Sequence, residues 1–94
     1  MDSIDLTPFP GGNLISQGLD DLARGIESES ALVVLIGAPR LRRLGVVVQP
    51  FEGESPEHRL YQLLAKSNTD SAHSRYNALI RRLVSFERAM ECAG

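Results

Sequence analysis

The sequence predicts an all-α protein, a compact bundle of four or five short helices with an irregular arm at its N-terminus. Apolar residues recur at helical spacing in the stretches that follow Asn13 and Ser71. Residues that commonly begin helices stand at Ser55-Pro56-Glu57. Hydrophobic residues make up 43% of the 94 residues and charged residues 23%, a balance typical of globular proteins. At this length we expect one domain over residues 1–94.

The predicted arm covers residues 1–12. Pro8 and Pro10 interrupt regular hydrogen-bonded structure, and no apolar period is present there. Leu6 and Phe9 are nevertheless large and apolar. We therefore expect an irregular segment that is held in part by packing of these two side chains against the core.

The first helix follows Asn13, which is its predicted N-cap residue. Asp20 and Arg24 stand four residues apart, in the order that favours an ion pair on a helix surface. Gly25 is placed to end the helix. One apolar stripe is predicted to face the core: Ile15, Leu19, Leu22 and Ile26.

The stretch from residue 31 to residue 48 allows two interpretations. Residues 31–36 form an almost continuous apolar run, and Val46-Val47-Val48 repeats it after the turn-like Gly37-Ala38-Pro39. The runs are rich in β-branched residues, which favour strands. Taken alone, they predict strands near 31–36 and 46–50, and the alternative fold is then α+β.

The flanking residues favour helices over strands in this region. Ser28 can cap a helix, and Leu41 with Leu44 continues the helical spacing beyond a break at Pro39. We therefore prefer a buried helix here. The predicted elements are a helix over Ser28–Ala38, a short helical turn over Arg40–Leu44, and an extended segment over Val46–Phe51.

Two further helices are predicted in the C-terminal half. Ser55 supplies a capping hydroxyl, Pro56 suits the first helical position, and Glu57 places an acid in the first turn. The polar run Ser67–Asp70 ends this helix, and the last helix begins near Ser71. Its apolar stripe repeats at spacings of four and three: Ala72, Tyr76, Leu79, Leu83, Phe86 and Met90.

The sequence gives no indication of a membrane span, a signal peptide or a metal site. The longest apolar run, residues 31–36, is far shorter than a membrane span. The acidic N-terminus does not resemble a secretory signal, so we expect a cytoplasmic protein. Cys92, His58 and His73 are too few and too scattered to bind zinc, and we predict no metal and no cofactor.

No motif typical of an active site is present, and we predict that the chain is not an enzyme. The glycine pair Gly11-Gly12 lacks the spacing and the lysine of a phosphate-binding loop. No paired histidines and no nucleophile motif occur. Neighbouring acidic residues are placed beside loops or on solvated faces and are interpreted as charges that aid solubility: Asp20-Asp21, Glu27 with Glu29, and Glu52 with Glu54.

Arginine supplies nearly all the basic residues, since Lys66 is the one lysine of the chain. Arg40, Arg42 and Arg43 cluster near the end of a predicted helix, where cations interact favourably with the helix dipole. Guanidinium groups also bind carboxylates and phosphates in bidentate geometry. The cluster is therefore also a candidate site for an anion or a partner.

A second polar and basic group lies on the last predicted helix: His73, Arg75, Asn77, Arg81, Arg82 and Arg88. This helix and the one before it, over residues 56–83, resemble a helix-turn-helix, in which Arg and Asn near the start of the second helix contact base edges. These residues are candidates for binding nucleic acid or a protein partner. Residues 55–94 carry six basic and four acidic residues, a smaller basic surplus than nucleic-acid-binding domains usually have.

The sequence predicts a small non-catalytic protein-interaction or adaptor module that can also self-associate. The near-heptad stripe of the last helix could form the seam of a homo-oligomer, with Arg82 and Glu87 at its flanks. Such a module is expected to expose an apolar patch rimmed by arginines. The alternative function is a nucleic-acid-binding regulator that uses the helix pair at residues 56–83.

Overall fold

The computed structural model describes residues 6, 8–51, 53 and 55–93. Five α-helices lie in this part of the chain, and none of its residues forms a β-strand. The all-α prediction is therefore confirmed, and the α+β alternative is wrong. In chain order the helices are α1 (Gly12–Ala23), α2 (Glu29–Ile36), α3 (Ala38–Arg43), α4 (Pro56–Ser67) and α5 (Thr69–Ala93).

Helix α2 lies at the centre of the fold because it is apolar on nearly every side. Residues 31–35 are all buried, and the helix packs against α1, α3, α4 and α5. The Ser28 hydroxyl oxygen accepts a hydrogen bond from the Ala31 N–H at 3.1 Å and so caps α2. Residues 31–36 are thus helical and do not form a strand. The Ser28 cap sets the start of the helix, and the surrounding helices pack against its apolar faces.

The break after α2 lies at Gly37, two residues before the predicted break at Pro39. Pro39 lies in the first turn of α3, where its missing N–H leaves no hydrogen bond unmade. A Cβ on Gly37 would lie 2.7 Å from a methyl carbon of Leu83 on α5. The predicted boundaries Ser28–Ala38 and Arg40–Leu44 are corrected accordingly, because Pro39 has no N–H for the Leu35 carbonyl one turn earlier and so disturbs the helix before its own position.

The described part of the N-terminal arm packs against the core, as predicted for Leu6 and Phe9. Leu6 is buried. The Phe9 ring meets the Phe86 ring of α5 edge to face, with ring centroids 5.9 Å apart. Residues 1–5 and Thr7 lie outside the described residues, so the rest of the predicted arm is not described.

Helix α1 begins at Gly12, and its N-cap residue is Gly11 rather than the predicted Asn13. The Asn13 side chain is exposed and makes no capping hydrogen bond. Gly11 has a φ of 74°, and a Cβ on it would lie 2.6 Å from the Arg82 carbonyl oxygen of α5. Only glycine both adopts this positive φ readily and leaves room for the Arg82 carbonyl oxygen, so the close approach of α5 decides where α1 begins.

The buried face of α1 differs from the predicted stripe. Ile15 is fully buried, but Ile26 lies beyond the end of α1 and is 47% exposed. Gly18, which lies between these positions, is buried. A Cβ on it would overlap the carbonyl oxygen of Ser30 on α2. The two helix backbones therefore lie in direct contact, which offsets the cost of about 1 kcal/mol that glycine imposes inside a helix.

The segment Val46–Phe51 lies outside any helix, as predicted, and follows Gly45, whose φ is 96°. Val46 and Val48 are each 6% exposed, whereas Val47 between them is 88% exposed. This alternation is typical of an extended chain with one face on a core. The segment has no partner strand among the described residues, so the predicted strand near 46–50 is wrong.

Helices α4 and α5 are joined by a single residue, Asn68, where the sequence predicts a break over Ser67–Asp70. The Asn68 side chain accepts a hydrogen bond from the Ser71 N–H at 3.2 Å, which supports the start of α5. Helix α5 then continues for 25 residues. Tyr61 of α4 contacts Tyr76 of α5, with ring centroids 5.9 Å apart, and the two helices pack along this side.

Candidate interaction surfaces

Arg40, at the middle of α3, is bound to two carboxylates of α5. Its guanidinium lies 2.6 Å from a carboxylate oxygen of Glu91 and 3.4 Å from one of Glu87. Arg43 is exposed and makes no hydrogen bond or ion pair within the described residues. The first predicted site is thus divided, because Arg40 fastens α3 to α5 while Arg43 stays on the surface.

Arg42 holds the extended segment that follows α3. Its guanidinium donates hydrogen bonds to the carbonyl oxygens of Val48 and Gln49, each at 3.1 Å. A second contact joins its Nε to the Val48 carbonyl oxygen at 3.2 Å. This candidate residue is therefore engaged by backbone, and its role within the chain is to fix the segment Val46–Phe51 against α3.

Glu87 is a buried charged residue that the sequence prediction missed. Its side chain is 6% exposed, and burial raises the pKa of its carboxyl group. The positive charges of Arg40 and Arg43 oppose that rise. Glu87 follows Leu83 by one helical turn and so shares its buried face, which is the signal that could have found it. The sequence placed Glu87 at the flank of a seam between subunits, and within the chain it is buried beside Arg40 of α3.

Asp21 is the second charge that the sequence placed on the surface and that the fold buries. It is 8% exposed. Its carboxylate accepts hydrogen bonds from the Ser28 hydroxyl at 2.5 Å and from the Gln17 side-chain amide at 2.9 Å. These two hydrogen bonds lower the pKa of Asp21. Because Ser28 also caps α2, Asp21 joins the end of α1 to the start of α2 and is not merely a solubility charge.

Both members of another acidic pair, Glu27 and Glu29, form ion pairs with arginines. Glu29 forms an ion pair with Arg75 at 3.0 Å, and Glu27 forms one with Arg59. Each of these side chains is partly exposed, so the ion pairs contribute little to stability. The third pair, Glu52 with Glu54, lies outside the described residues.

The residues predicted to read nucleic acid at the start of α5 are mostly engaged within the chain. Arg75 is bound to Glu29. His73 and Asn77 share a hydrogen bond at 3.2 Å. The single-residue joint at Asn68 is shorter than the three- or four-residue turn of a helix-turn-helix. Arg75 is thus held in an ion pair, whereas His73 and Asn77 lie one turn apart on the side of α5 that also carries Arg81.

The C-terminal half of α5 carries three exposed arginines, Arg81, Arg82 and Arg88. None of them makes a hydrogen bond or an ion pair with any residue that the structure describes. The exposed residues near them on the same side of the helix are small, Ala78 and Ser85. We call these five residues the basic face. It brings together Arg81, Arg82 and Arg88 from the second predicted group, and Asn77 lies one turn before Arg81 at its border.

An apolar surface lies on a different part of the molecule, around Phe51. Phe51 is 37% exposed and Ile26 is 47% exposed. Both line a depression of about 260 Å³, together with Leu22, Leu35 and Pro50. We call this region, with the neighbouring Val47 described above, the Phe51 surface. Neither Ile26 nor Val47 was expected to be exposed, because the sequence placed one on a core stripe and the other in an apolar run.

A second depression, of about 210 Å³, shares Phe51 and Leu35 with the first. Its other lining residues include Pro39, Arg42 and Pro56. Phe51 therefore stands between two shallow apolar depressions, one of which has an arginine at its edge. This arrangement resembles the arginine-rimmed apolar patch expected of an interaction module.

The backbone beside Val47 is open on one side. The Val46 N–H donates to the Leu41 carbonyl oxygen at 2.9 Å, and the Val48 carbonyl oxygen accepts from Arg42. Within the described residues, no hydrogen bond is made by the N–H or the carbonyl of Val47, or by the N–H of Gln49. In an extended chain these groups point to one side. The Gln49 carbonyl oxygen, which lies on the same side of an extended chain, accepts a hydrogen bond from Arg42 at 3.1 Å, so three backbone groups remain open on this side.

A further depression, of about 490 Å³, lies between Glu27 and helix α4. Arg59, Gln62 and Lys66 line it, and the ion pair between Glu27 and Arg59 lies at its wall. Glu27 and Arg59 neutralise each other, which leaves the single positive charge of Lys66 at the depression.

Within the described residues, no three His, Cys, Asp or Glu side chains come together in a way that could hold a metal ion. No helix in that part of the chain is long and apolar enough to cross a membrane. No protein-family model, curated protein or solved structure matches this chain.

Proposed function

We propose that this chain is a non-catalytic protein-interaction module that binds an extended segment of a partner protein at the Phe51 surface. The observation that supports this most strongly is Val47, which is 88% exposed. Buried Val46 and Val48 on either side fix the segment with the Val47 side chain in solvent. Covering an exposed valine is worth about 1.5 kcal/mol, so a partner that covers Val47 gains affinity.

The two depressions beside Phe51 support an extended occupant. Side chains two residues apart in an extended peptide point the same way and lie about 6.5 Å apart. Two apolar side chains of one peptide could therefore enter the depressions on either side of the Phe51 ring. Ile26 lines the first depression and Arg42 the second, which gives the surface an apolar centre and a cationic edge.

The open backbone edge supports the same occupant. The N–H and carbonyl groups of Val47 and the N–H of Gln49 can pair with a partner strand, as in β-strand addition. The next group on this side, the Gln49 carbonyl oxygen, is bound by Arg42, so the open groups end there. Backbone pairing would supply affinity, while the depressions would select the apolar side chains of the partner.

The experiment is selection from a random peptide library displayed on phage, with the purified chain as the bait. Wild type should enrich extended peptides that carry apolar residues at alternating positions. The double variant Val47→Ser with Phe51→Ser should lose them. Tyr61→Ser is the matched control, because Tyr61 is 40% exposed, close to the 37% of Phe51, and lies away from the Phe51 surface.

Amide chemical shifts with a selected peptide then locate the contact. Shifts centred on residues 46–51 and on Ile26 are expected. Enrichment that persists in the double variant, or shifts confined to other helices, would contradict the proposal. Sedimentation of wild type over a range of concentrations, compared with Val47→Ser, decides whether the bound segment can come from a second copy of the chain.

A further inference from the structure

Of the nine arginines of this chain, Arg43 on α3 and the three of the basic face are unpaired within the described residues. The chain holds 12 acidic and 10 basic residues, so carboxylates are not scarce. Five arginines have a carboxylate or carbonyl partner: Arg24, Arg40, Arg42, Arg59 and Arg75. Against this background, the three unpaired arginines of the basic face form a local surplus of positive charge that the fold itself leaves uncompensated.

The spacing of these arginines suits a helix lying alongside α5. Arg81 and Arg88 are seven residues apart, which corresponds to about 10 Å along the helix axis. Arg82 lies about 100° around the helix from Arg81 and widens the face to one side. Ala78 and Ser85 are small and exposed, so a partner backbone could approach α5 closely between the guanidinium groups.

The nearby carboxylates do not compete for this face. Glu91 is one turn beyond Arg88, but its carboxylate is bound to Arg40. Glu87 is buried against α3. Asp70 is exposed but lies at the first turn of α5, about three turns from Arg81. A partner that brings its own carboxylates would therefore meet three guanidinium groups that no carboxylate among the described residues binds.

We propose that the basic face is a second binding surface and that its occupant is an acidic helix of another protein, with Glu or Asp residues at heptad spacing. On two helices packed side by side, residues seven apart keep the same facing relation, so such carboxylates would meet Arg81 and Arg88 together. A two-fold pair of copies would instead set these arginines against one another. No residue of the basic face lines a depression of the Phe51 surface.

Nucleic acid fits this surface less well. The basic face offers three cations, whereas proteins that bind duplex DNA through its backbone commonly contact roughly six to ten phosphates. It carries no exposed aromatic ring for stacking on bases, because Tyr76 packs on Tyr61 and Phe86 is buried. The net charge of the chain is −2, which adds long-range repulsion of a polyanion.

The test is an amide chemical-shift titration of the full chain with a synthetic helical peptide that carries glutamates at heptad spacing. Its counterpart with glutamine at those positions is the peptide control. Shifts at residues 78–88 with the glutamate peptide and none with the glutamine peptide are expected. The double variant Arg81→Gln with Arg88→Gln should bind roughly tenfold more weakly, since it loses two ion pairs.

Arg24→Gln is the matched control, because it removes the same charge from an exposed site on α1 and should leave binding unchanged. Val47→Ser with Phe51→Ser should also bind the acidic peptide as wild type does, so the fate of this proposal is independent of the proposed function. Equal binding by wild type and the double arginine variant would overturn the proposal. Tighter binding of a duplex oligonucleotide than of the peptide, with shifts on the basic face, would overturn it in favour of nucleic acid.

Discussion

The arginines of α3 and those of the basic face have similar sequence surroundings but different structural roles. Arg40 and Arg42 are tied to α5 and to the extended segment, respectively. Arg81 and Arg88 make no such contact among the described residues. The difference lies in what faces each cluster, because α3 packs beside a buried carboxylate whereas α5 turns its basic face to solvent. A cluster of arginines in a sequence therefore does not by itself indicate a binding surface.

The same substitution of arginine by methionine should have unequal effects on thermal stability in the two clusters. Arg40→Met should lower Tm by several degrees at neutral pH, because it leaves the buried Glu87 carboxylate with less compensation. Arg81→Met should change Tm by about a degree at most, as is usual for surface substitutions. Thermal unfolding followed by circular dichroism measures both.

A further variant tests the reason for the effect. If the cost of Arg40→Met arises from the charge on Glu87, adding Glu87→Gln should restore part of the lost Tm. Equal Tm values for Arg40→Met and Arg81→Met would show that the ion pair on α3 has no structural role and that the two clusters do not differ.

A smaller effect is expected at Arg42. Arg42→Met removes the hydrogen bonds to Val48 and Gln49 and should leave the helices in place. Amide hydrogen exchange of Val46, whose N–H is bonded to Leu41, should become roughly tenfold faster as the segment opens. Arg43→Met, in the same helix, is the control and should leave this exchange rate unchanged. An unchanged rate in Arg42→Met would mean that the valines alone hold the segment.

The smallest effect concerns pH. The pKa of Glu87 is raised in the folded chain above its ordinary value of 4.5, so the folded state holds more protons than the unfolded state just above that pH. The free energy of unfolding should therefore fall as pH rises from 4.5 through the raised pKa, relative to the variant Glu87→Gln. Urea unfolding of both proteins at several pH values measures this difference. A difference that is constant with pH, or that changes in the opposite direction, would contradict a raised pKa.

Local chemistry explains which parts of the fold could be predicted from the sequence. Ser28 and Ser55 accept hydrogen bonds from the N–H groups of Ala31 and His58, and both helix starts are as predicted. Capping depends on a few consecutive residues, so it can be read from a sequence. The break at Gly37 lies two residues before the predicted one, because Pro39 disturbs the turn that precedes it and not only its own position.

The candidate surfaces were harder to predict than the helices. Val47 lies in a run of three valines, and nothing in that run shows which side chain faces outward until the core has fixed its neighbours. Glu87 could have been placed on the buried side of α5 from its spacing to Leu83, but its partner Arg40 lies on another helix. Arg81 and Arg82 were named as candidates, and the sequence alone could not separate them from the engaged Arg75.

The anchored segment Val46–Phe51 has a consequence for the entropy of binding. Two buried valines and the Arg42 hydrogen bonds already hold it in an extended form, so little conformational freedom remains to be lost when a partner strand pairs with it. Nearly all of the ordering on association would then fall on the incoming segment. Affinity at this surface should therefore rise when the partner segment is made stiffer, for example by cyclisation. Stiffening the segment Val46–Phe51 of this chain should change the affinity little.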